Sequence, residues 1–295
     1  MAFKGRSPKP PELRLPTHIS HSARETLGRC ARSYFLKYLA KAPQTPALWL
    51  AGGSAVHEVT EKFDAESFGL NGNKPMDWQE QTVRRAWNMH FHAQLEELRA
   101  KDPNEYHWRS SASEPVEAWN RMGPEYVQGY IDWRRRAPYE IWTTPDGLPA
   151  IELDISGKLP GCEVEIKGYL DRVFWDPVFK KLVIVDLKTS KKPPKNAEQF
   201  GTYAALLQVK YGVKADIGVP FMNRKNTLGK PYEMAEFTPE AVGAIYGEAW
   251  ARIQSGEFPA DGYDKACFIC DVSAACAAKN GPLAHIYDPA AKVPF

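Results

Sequence analysis

The sequence has no long hydrophobic run. Apolar stretches such as Ala204–Leu207 stop far short of the ~20 residues a membrane-spanning helix needs, so no membrane partner is expected. The first residues, Met1-Ala2-Phe3-Lys4-Gly5-Arg6, lack the apolar segment of a secretory leader, and a cytosolic location is the expectation. No G-x-x-x-x-G-K-[ST] occurs, which excludes a P-loop ATP motor. Cysteine is scarce. Five in 295 residues, an odd number, argue against a disulfide framework and for metal, redox or catalytic use. Net charge is nearly absent too, with 38 Lys and Arg against 36 Asp and Glu, and no internal repeat is found. A composition of 43% hydrophobic and 25% charged residues excludes disorder throughout and collagen-like structure. The length suits one large domain or two small ones.

The near-neutral total conceals two basic zones. Residues 1–50 hold nine Lys and Arg against Glu12 and Glu25, a local +7, and residues 180–195 hold six lysines against Asp186, a local +5. Such zones can meet phosphates, although a solvated surface is the plainer account of a charge run. Residues 1–17, with Pro8, Pro10, Pro11 and Pro16, read as an extended arm. A helical pattern runs from Ser20 to Ala40. Gly52-Gly53-Ser54 opens a second helix to about Phe63, with Ser54 as its N-cap. Amphipathic helices follow at 77–101 and 115–136, and their Trp87, Met89, Phe91, Leu95, Leu98, Trp119, Met122, Tyr126, Tyr130 and Trp133 read as core. The period then changes to strands at 139–144, 150–157, 163–175 and 182–188, a helix at 196–211, strands at 214–220 and 231–237, and a helix at 238–255. A loop-like tail starts at Phe258. This order predicts one sheet with a helical cap from the N-terminal third.

One hairpin gathers charge. Leu182-Val183-Ile184-Val185-Asp186-Leu187-Lys188 is apolar on both faces up to Val185, as a central strand covered on both sides must be. Asp186 and Lys188 then fall on one face, where charges at the end of a buried strand need partners. The preceding strand carries Gly168-Tyr169-Leu170-Asp171-Arg172-Val173, and Asp176–Lys180 has turn chemistry. A hairpin folded about Val178 sets Asp171 opposite Val185, within one residue of Asp186. Two carboxylates that close repel unless a proton or a cation stands between them. Mg²⁺ or Mn²⁺ suits two carboxylates plus a backbone carbonyl, here that of Leu187. With Lys188 to stabilise negative charge or help activate water, the strand end reads as a site for phosphodiester hydrolysis. A surface ion pair between Asp186 and Lys188 is the plain alternative, and the opposed Asp171 weighs against it.

These residues resemble the PD-(D/E)XK nuclease superfamily, and more narrowly its RecB-like exonucleases, including the CRISPR-associated iron–sulfur exonucleases. Gly53-Ser54-Ala55-Val56-His57 is similar to the family's G-x-x-x-H, and Gly168–Val173 to its G-x-x-D-R-V. Asp186-Leu187-Lys188-Thr189 is similar to its D-x-K-T, and Gln199-Phe200-Gly201-Thr202-Tyr203 to its Q-x-x-x-Y. Each motif alone is weak, and the ordered set is specific. The resemblance implies that His57, Asp171 and Asp186 ligate the metal, that Lys188 is the catalytic lysine, and that Gln199 and Tyr203 support the site or the DNA strand. Gln199 and Tyr203, four apart on a helix, do share a face. A further acidic residue on an earlier strand is also implied, with Glu152 and Glu165 both candidates. Read alone, His57-Glu58-Val59-Thr60-Glu61 nearly matches the zinc-protease H-E-x-x-H, but Glu61 stands where the second histidine should be.

The tail holds Cys267, Cys270 and Cys276 as C-x₂-C-x₅-C. Three thiolates leave a tetrahedral site or a cubane incomplete, and Cys30 in the first helix is available as a fourth. The resemblance implies a structural [4Fe–4S] cluster on Cys30, Cys267, Cys270 and Cys276. Spacing alone leaves zinc open. Cys162 fits neither pattern.

The expected architecture is an α/β, restriction-endonuclease-like mixed central sheet flanked by helices. It has an arm at 1–17 and a single nuclease domain over 18–295. That domain divides into a helical part at 18–136, a catalytic core at 137–257 and a cysteine-rich tail at 258–295 joined to Cys30. The expected activity is Mg²⁺- or Mn²⁺-dependent DNA hydrolysis, exonucleolytic and on single-stranded ends. Arg172, Lys191, Lys192 and Tyr203 are expected to contact DNA. By analogy the partners include a helicase, recombination or CRISPR-adaptation complex, and the setting is a bacterial cytoplasm, from a bacterial or phage gene. The rival reading is a non-catalytic nucleic-acid-binding module with a structural cysteine site.

Overall fold

A computed structural model of the chain describes residues 13–67, 77–110, 113–262 and 264–288. Of the Pro-rich arm expected at 1–17, residues 1–12 lie outside the described residues. In chain order the elements are β1 (His18–Ser20), α1 (His21–Arg29), α2 (Ala31–Tyr34) running on as a π-helical turn over Phe35–Leu39, α3 (Leu48–Ser67), α4 (Glu80–Lys101) and α5 (Val116–Arg136). Then come β2 (Glu140–Ile141), β3 (Ile151–Asp154), β4 (Glu165–Lys167), β5 (Tyr169–Asp176), β6 (Lys181–Lys188), α6 (Glu198–Tyr211), β7 (Ile217–Met222), β8 (Thr227–Leu228) and β9 (Tyr232–Glu233). The last are α7 (Pro239–Gln254), α8 (Asp264–Phe268) and α9 (Ala284–Tyr287). No described helix is long and apolar enough to cross a membrane.

The described residues form two compact units, one within Pro46–Gly157 and Gly168–Val242, the other within Met1–Thr45, Lys158–Lys167 and Gly243–Phe295. The first is built on a mixed sheet, seven-stranded among the described residues, of restriction-endonuclease-like character. β6 lies at its centre, antiparallel to β5 and parallel to β7. Its Leu182–Val185 segment is buried on both faces, as its sequence requires. Val183, Val185 and Leu187 of β6, with Phe174, Val219 and Phe221, share one apolar core with α3, α4 and α5. Most of the aromatic positions read as core are so: Trp87, Phe91, Trp119, Tyr126 and Tyr130 are buried. Met89 departs from the expectation and is 56% exposed. On β7, a Cβ at Gly218 would lie 2.5 Å from the ring of Phe200, so α6 approaches the sheet where that glycine leaves room.

Several boundaries move. Gly52 and Gly53 lie inside α3 rather than before it, and Ser54 is not an N-cap. A Cβ at Gly52 would fall 2.3 Å from the Trp119 ring, so the glycine marks a close helix–helix approach, not a helix start. The strand expected at 163–175 breaks at Gly168 into β4 and β5. The hairpin register is shifted by one residue. Arg172 pairs with Val185 and Asp176 with Lys181, so that Asp171 comes level with Asp186 rather than with Val185. Opposed residues share a face, and the corrected register therefore places both carboxylates together.

In the other unit β1 pairs with β4 in parallel, His18 against Glu165. The single helix expected from Ser20 to Ala40 is interrupted at Cys30, whose backbone is extended (φ −166°, ψ 114°). Asp261 Oδ1 accepts the N–H of Ala31 at 2.8 Å and so caps the resumed helix from far along the chain. The tail read as loop-like contains α8, α9 and short 3₁₀ turns.

Candidate active site

Where the β5–β6 ladder ends, its freed backbone groups meet side chains. The N–H of Leu187 donates to Asp171 Oδ2 at 2.7 Å, and the Leu187 carbonyl lies 3.1 Å from His57 Nε2. His57 Nδ1 is 3.4 Å from the same Asp171 oxygen. Glu152 completes the group: His57, Glu152 and Asp171 each offer a ligand atom within 4.8 Å of the other two. Of the two acidic candidates on earlier strands, Glu152 therefore belongs here. Glu165 is exposed on β4 of the other unit, paired with His18.

Burial, then the charge of Asp171, pushes the Glu152 carboxyl up to about 7. A group of acids that raises its own proton affinity is one a divalent cation would relieve. Glu152 also has a left-handed backbone, φ 46°, which costs a non-glycine residue roughly 1–2 kcal/mol. Arg172 holds it there. The guanidinium is wholly buried, donates to Glu152 Oε1 at 3.1 Å, to the carbonyl of Asp171, and to Asp64 Oδ2 at 2.6 Å. Tyr130 and Arg134 bind the same Asp64 carboxylate at 2.6 and 3.1 Å. Burial opposes the Arg172 charge, but Tyr130, Asp64 and Glu152 outweigh it and raise its pKa. The expectation that Arg172 contacts DNA is thus corrected: the β5 alternation turns it into the protein, away from solvent.

Beside this group, Lys188 Nζ lies 2.6 Å from Asp186 Oδ2 and donates to Gln199 Oε1 at 3.0 Å. Gln199 Nε2 donates to Asp186 Oδ1 at 3.1 Å and to the Tyr203 hydroxyl at 3.0 Å. One amide therefore ties acid, lysine and tyrosine together. Burial raises the Asp186 pKa, and Lys188 opposes the rise.

His57, Glu152, Leu187 and Lys188 line an open pocket of about 780 Å³. Its lining also holds Glu114 and Arg224, which sequence reasoning missed. Glu114, 8% exposed, accepts from Arg224 Nη1 and Nη2, at 3.1 and 3.0 Å, and pairs with Lys191 at 2.8 Å. No local pattern joins positions 114, 191 and 224. Lys191 and Lys192 are exposed, as a DNA contact needs. Glu61, the residue that spoils the zinc-protease pattern, lines the same pocket.

In the other unit, Cys30, Cys267, Cys270 and Cys276 line one cavity of about 220 Å³ with Arg29 and Lys279. The four cysteines predicted as a set, one from early in the chain and three from its tail, all line this one cavity. A Cβ at Gly262 would lie 2.9 Å from that of Cys30, so glycine is what fits against this cysteine. Ion pairs between Lys37 and Asp271 (2.7 Å) and between Arg32 and Asp288 (2.8 Å) tie the tail down. Cys162 stands apart from the cavity, buried, its thiol donating to the Val164 carbonyl at 3.4 Å.

A sequence model of the PD-(D/E)XK nuclease superfamily matches residues 18–277. The chain is 32% identical over 276 residues to the Gene 69 protein of Mycobacterium phage D29, which spans 90% of this chain and 98% of that protein. It is 29% identical over 277 residues to the Gene 69 protein of Mycobacterium phage L5, spanning 84% and 92%. The crystal structure of SSO0001 superposes with a TM-score of 0.36 at 13% identity, over 91% of this chain and 89% of that one.

Proposed function

The chain belongs to the PD-(D/E)XK nuclease superfamily, and on that premise we propose that it is a Mg²⁺- or Mn²⁺-dependent deoxyribonuclease acting exonucleolytically on single-stranded DNA ends. The observation that carries this reading is the His57–Glu152–Asp171 group standing at the same strand end as the Asp186–Lys188–Gln199 cluster. His57, Asp171, Asp186 and the Leu187 carbonyl would hold the ion, with Glu152 beside them. When bound, such an ion supplies Lewis acidity and lowers the pKa of a coordinated water. Lys188 presents a cation to the charge that develops on the phosphoryl oxygens. Gln199 keeps that lysine and Asp186 in register, and Tyr203, Lys191 and Lys192 receive the strand. The likeness to two mycobacteriophage proteins supports a phage gene product working in the host cytoplasm.

The second part of the proposal is a structural [4Fe–4S] cluster on Cys30, Cys267, Cys270 and Cys276, supported by their shared cavity. Two experiments decide. End-labelled single- and double-stranded DNA is incubated with Mg²⁺ or Mn²⁺; the parent should digest it, and Asp186→Ala and Lys188→Ala should not. Variants as active as the parent would refute the site. Oxygen-free purification, a visible spectrum and metal analysis test the cluster, and a colourless, iron-free, zinc-loaded protein refutes it.

A further inference from the structure

We propose that Trp49, backed by Arg109, is a nucleobase-stacking subsite at the mouth of the active-site pocket, one that takes a base of single-stranded DNA a few nucleotides from the bond being cut. The inference rests on the nuclease reading above and names how that site tells a single strand from a duplex.

The argument begins on α3. Trp49, Gly53, His57 and Glu61 recur every four residues, share a helix face and all line the pocket. Eight residues of helix separate Trp49 from His57, a rise of about 12 Å. The ring is thus within a few nucleotides of the metal ligands. Between them, a Cβ at Gly53 would come within 3.2 Å of Thr189 Oγ1, so a side chain there would narrow the passage from ring to site.

The aromatic is held out, not left over. Trp49 is 38% exposed and its neighbour Leu50 61%, at the start of a helix whose Leu48 is buried. Arg109 is fastened to this corner by its backbone. Its N–H donates to Pro46 O at 2.8 Å, and its carbonyl accepts from Leu48 N at 3.0 Å. The preceding Trp108 is buried and donates Nε1–H to the Asp102 carbonyl at 2.8 Å, which anchors the segment. The Arg109 guanidinium then lies 4.9 Å from the Trp49 ring centroid, a cation–π contact that fixes the plane of the ring.

Lys188, Lys191 and Arg224 also line the pocket, among Glu58, Glu61, Glu114 and Glu152, and give the phosphates cations to meet. An aromatic platform beside lysine and arginine side chains is chemistry that binds single strands without sequence preference. Every base has a π-face, and in a duplex those faces are already stacked.

The test compares a short oligo-dT with an abasic strand of the same length, by fluorescence anisotropy, with Ca²⁺ replacing the catalytic metal. The abasic strand keeps every phosphate and loses every base. The parent should bind oligo-dT about tenfold more tightly. Trp49→Ala should abolish that preference while leaving abasic affinity within about twofold, and Trp49→Phe should restore most of it. A parent that digests DNA yet binds both strands alike would overturn the stacking subsite alone. So would a Trp49→Ala variant that keeps the preference or weakens both strands equally. A parent that neither binds nor digests DNA would overturn the nuclease reading with it.

Discussion

Leu187 gives its backbone N–H to Asp171 Oδ2 at 2.7 Å, one residue after Asp186, where the β5–β6 pairing has already ended at Arg172–Val185. A buried N–H left by a finished ladder must find another acceptor, and a site carboxylate supplies it. Asp171 is therefore both a candidate ligand and a structural acceptor, and substitutions separate the two. Asp171→Asn keeps an oxygen for Leu187 but loses the charge. It should lower Mn²⁺ affinity by at least about tenfold in calorimetry while leaving folding stability within about 1 kcal/mol. Asp171→Ala orphans the N–H as well and should cost a further 1–3 kcal/mol or so in urea unfolding. Equal stability of the two variants would contradict this dual role.

At Arg172, position contradicts the role expected from sequence. Its charge is spent on Asp64 and Glu152, and nothing of it reaches solvent. Removing one partner of a buried ion pair costs about 3–5 kcal/mol, because the other is left uncompensated. Arg172→Met should show a loss of that size in urea unfolding. The salt dependence of DNA binding, read as the slope of log affinity against log salt, should not change. A slope shallower by about one unit would mark Arg172 as a phosphate contact after all.

Glu152 gives the metal-free protein a pH dependence of definite sign. Its folded pKa of about 7 stands above the ordinary 4.5, so protonation favours the folded state. The contribution is complete below about pH 4.5 and is lost as pH rises through 7. In EDTA the melting temperature should fall between about pH 5 and pH 8, by an amount worth at most about 3 kcal/mol. Asp186, raised by burial, acts in the same direction. Glu152→Gln should flatten the profile, and parallel profiles for parent and variant would rule Glu152 out as the source.

Much of this site was legible because its chemistry lies within short stretches. Asp186 and Lys188 share a strand face, and Gln199 and Tyr203 a helix face; both follow from residue spacing alone, and the structure joins all four through the Gln199 amide. Chain pairing was less legible. Placing the turn one residue off in Asp176–Lys181 set Asp171 against Val185, on the wrong face, since strand side chains alternate. Gly52 looked like punctuation because a glycine that ends a helix and one that admits a Trp119 ring are identical in sequence. The Asp64–Arg172 and Glu114–Arg224 pairs join residues more than a hundred positions apart and leave no local pattern at all.

Glu114 sits among the cations that the proposed strand would meet. Arg224 and Lys191 outweigh the effect of burial and hold its carboxyl below the ordinary range, so it stays charged and neutralises much of their charge. Arg224 keeps a separate anchor, donating Nε–H to the Thr189 carbonyl at 2.7 Å. Glu114→Gln should therefore leave Arg224 in place while freeing charge for phosphate. Affinity for single-stranded DNA at low salt should rise several-fold, with a steeper salt dependence. Unchanged affinity and slope would mean that these cations do not touch DNA.

The four cysteines bear on one unit more than on the other. Cys30 is held at the break between α1 and α2, and the other three belong to the tail, which is also fastened by the Lys37–Asp271 and Arg32–Asp288 pairs. Those pairs, together with the capping of Ala31 by Asp261, keep part of the docking when a thiolate is lost. Burial pushes the Cys276 thiol up, so without a cluster it stays protonated and contributes no charge to the cavity. Cys30→Ala should thus lose iron and visible absorbance and open the 258–288 segment to limited proteolysis, without global unfolding. Cys162→Ala, outside the cavity, should keep its iron and its protease resistance, giving up about 1 kcal/mol of packing at most. Iron retained by Cys30→Ala at the parent's level, or lost equally from Cys162→Ala, would show that the four-thiol cavity is not what holds the metal.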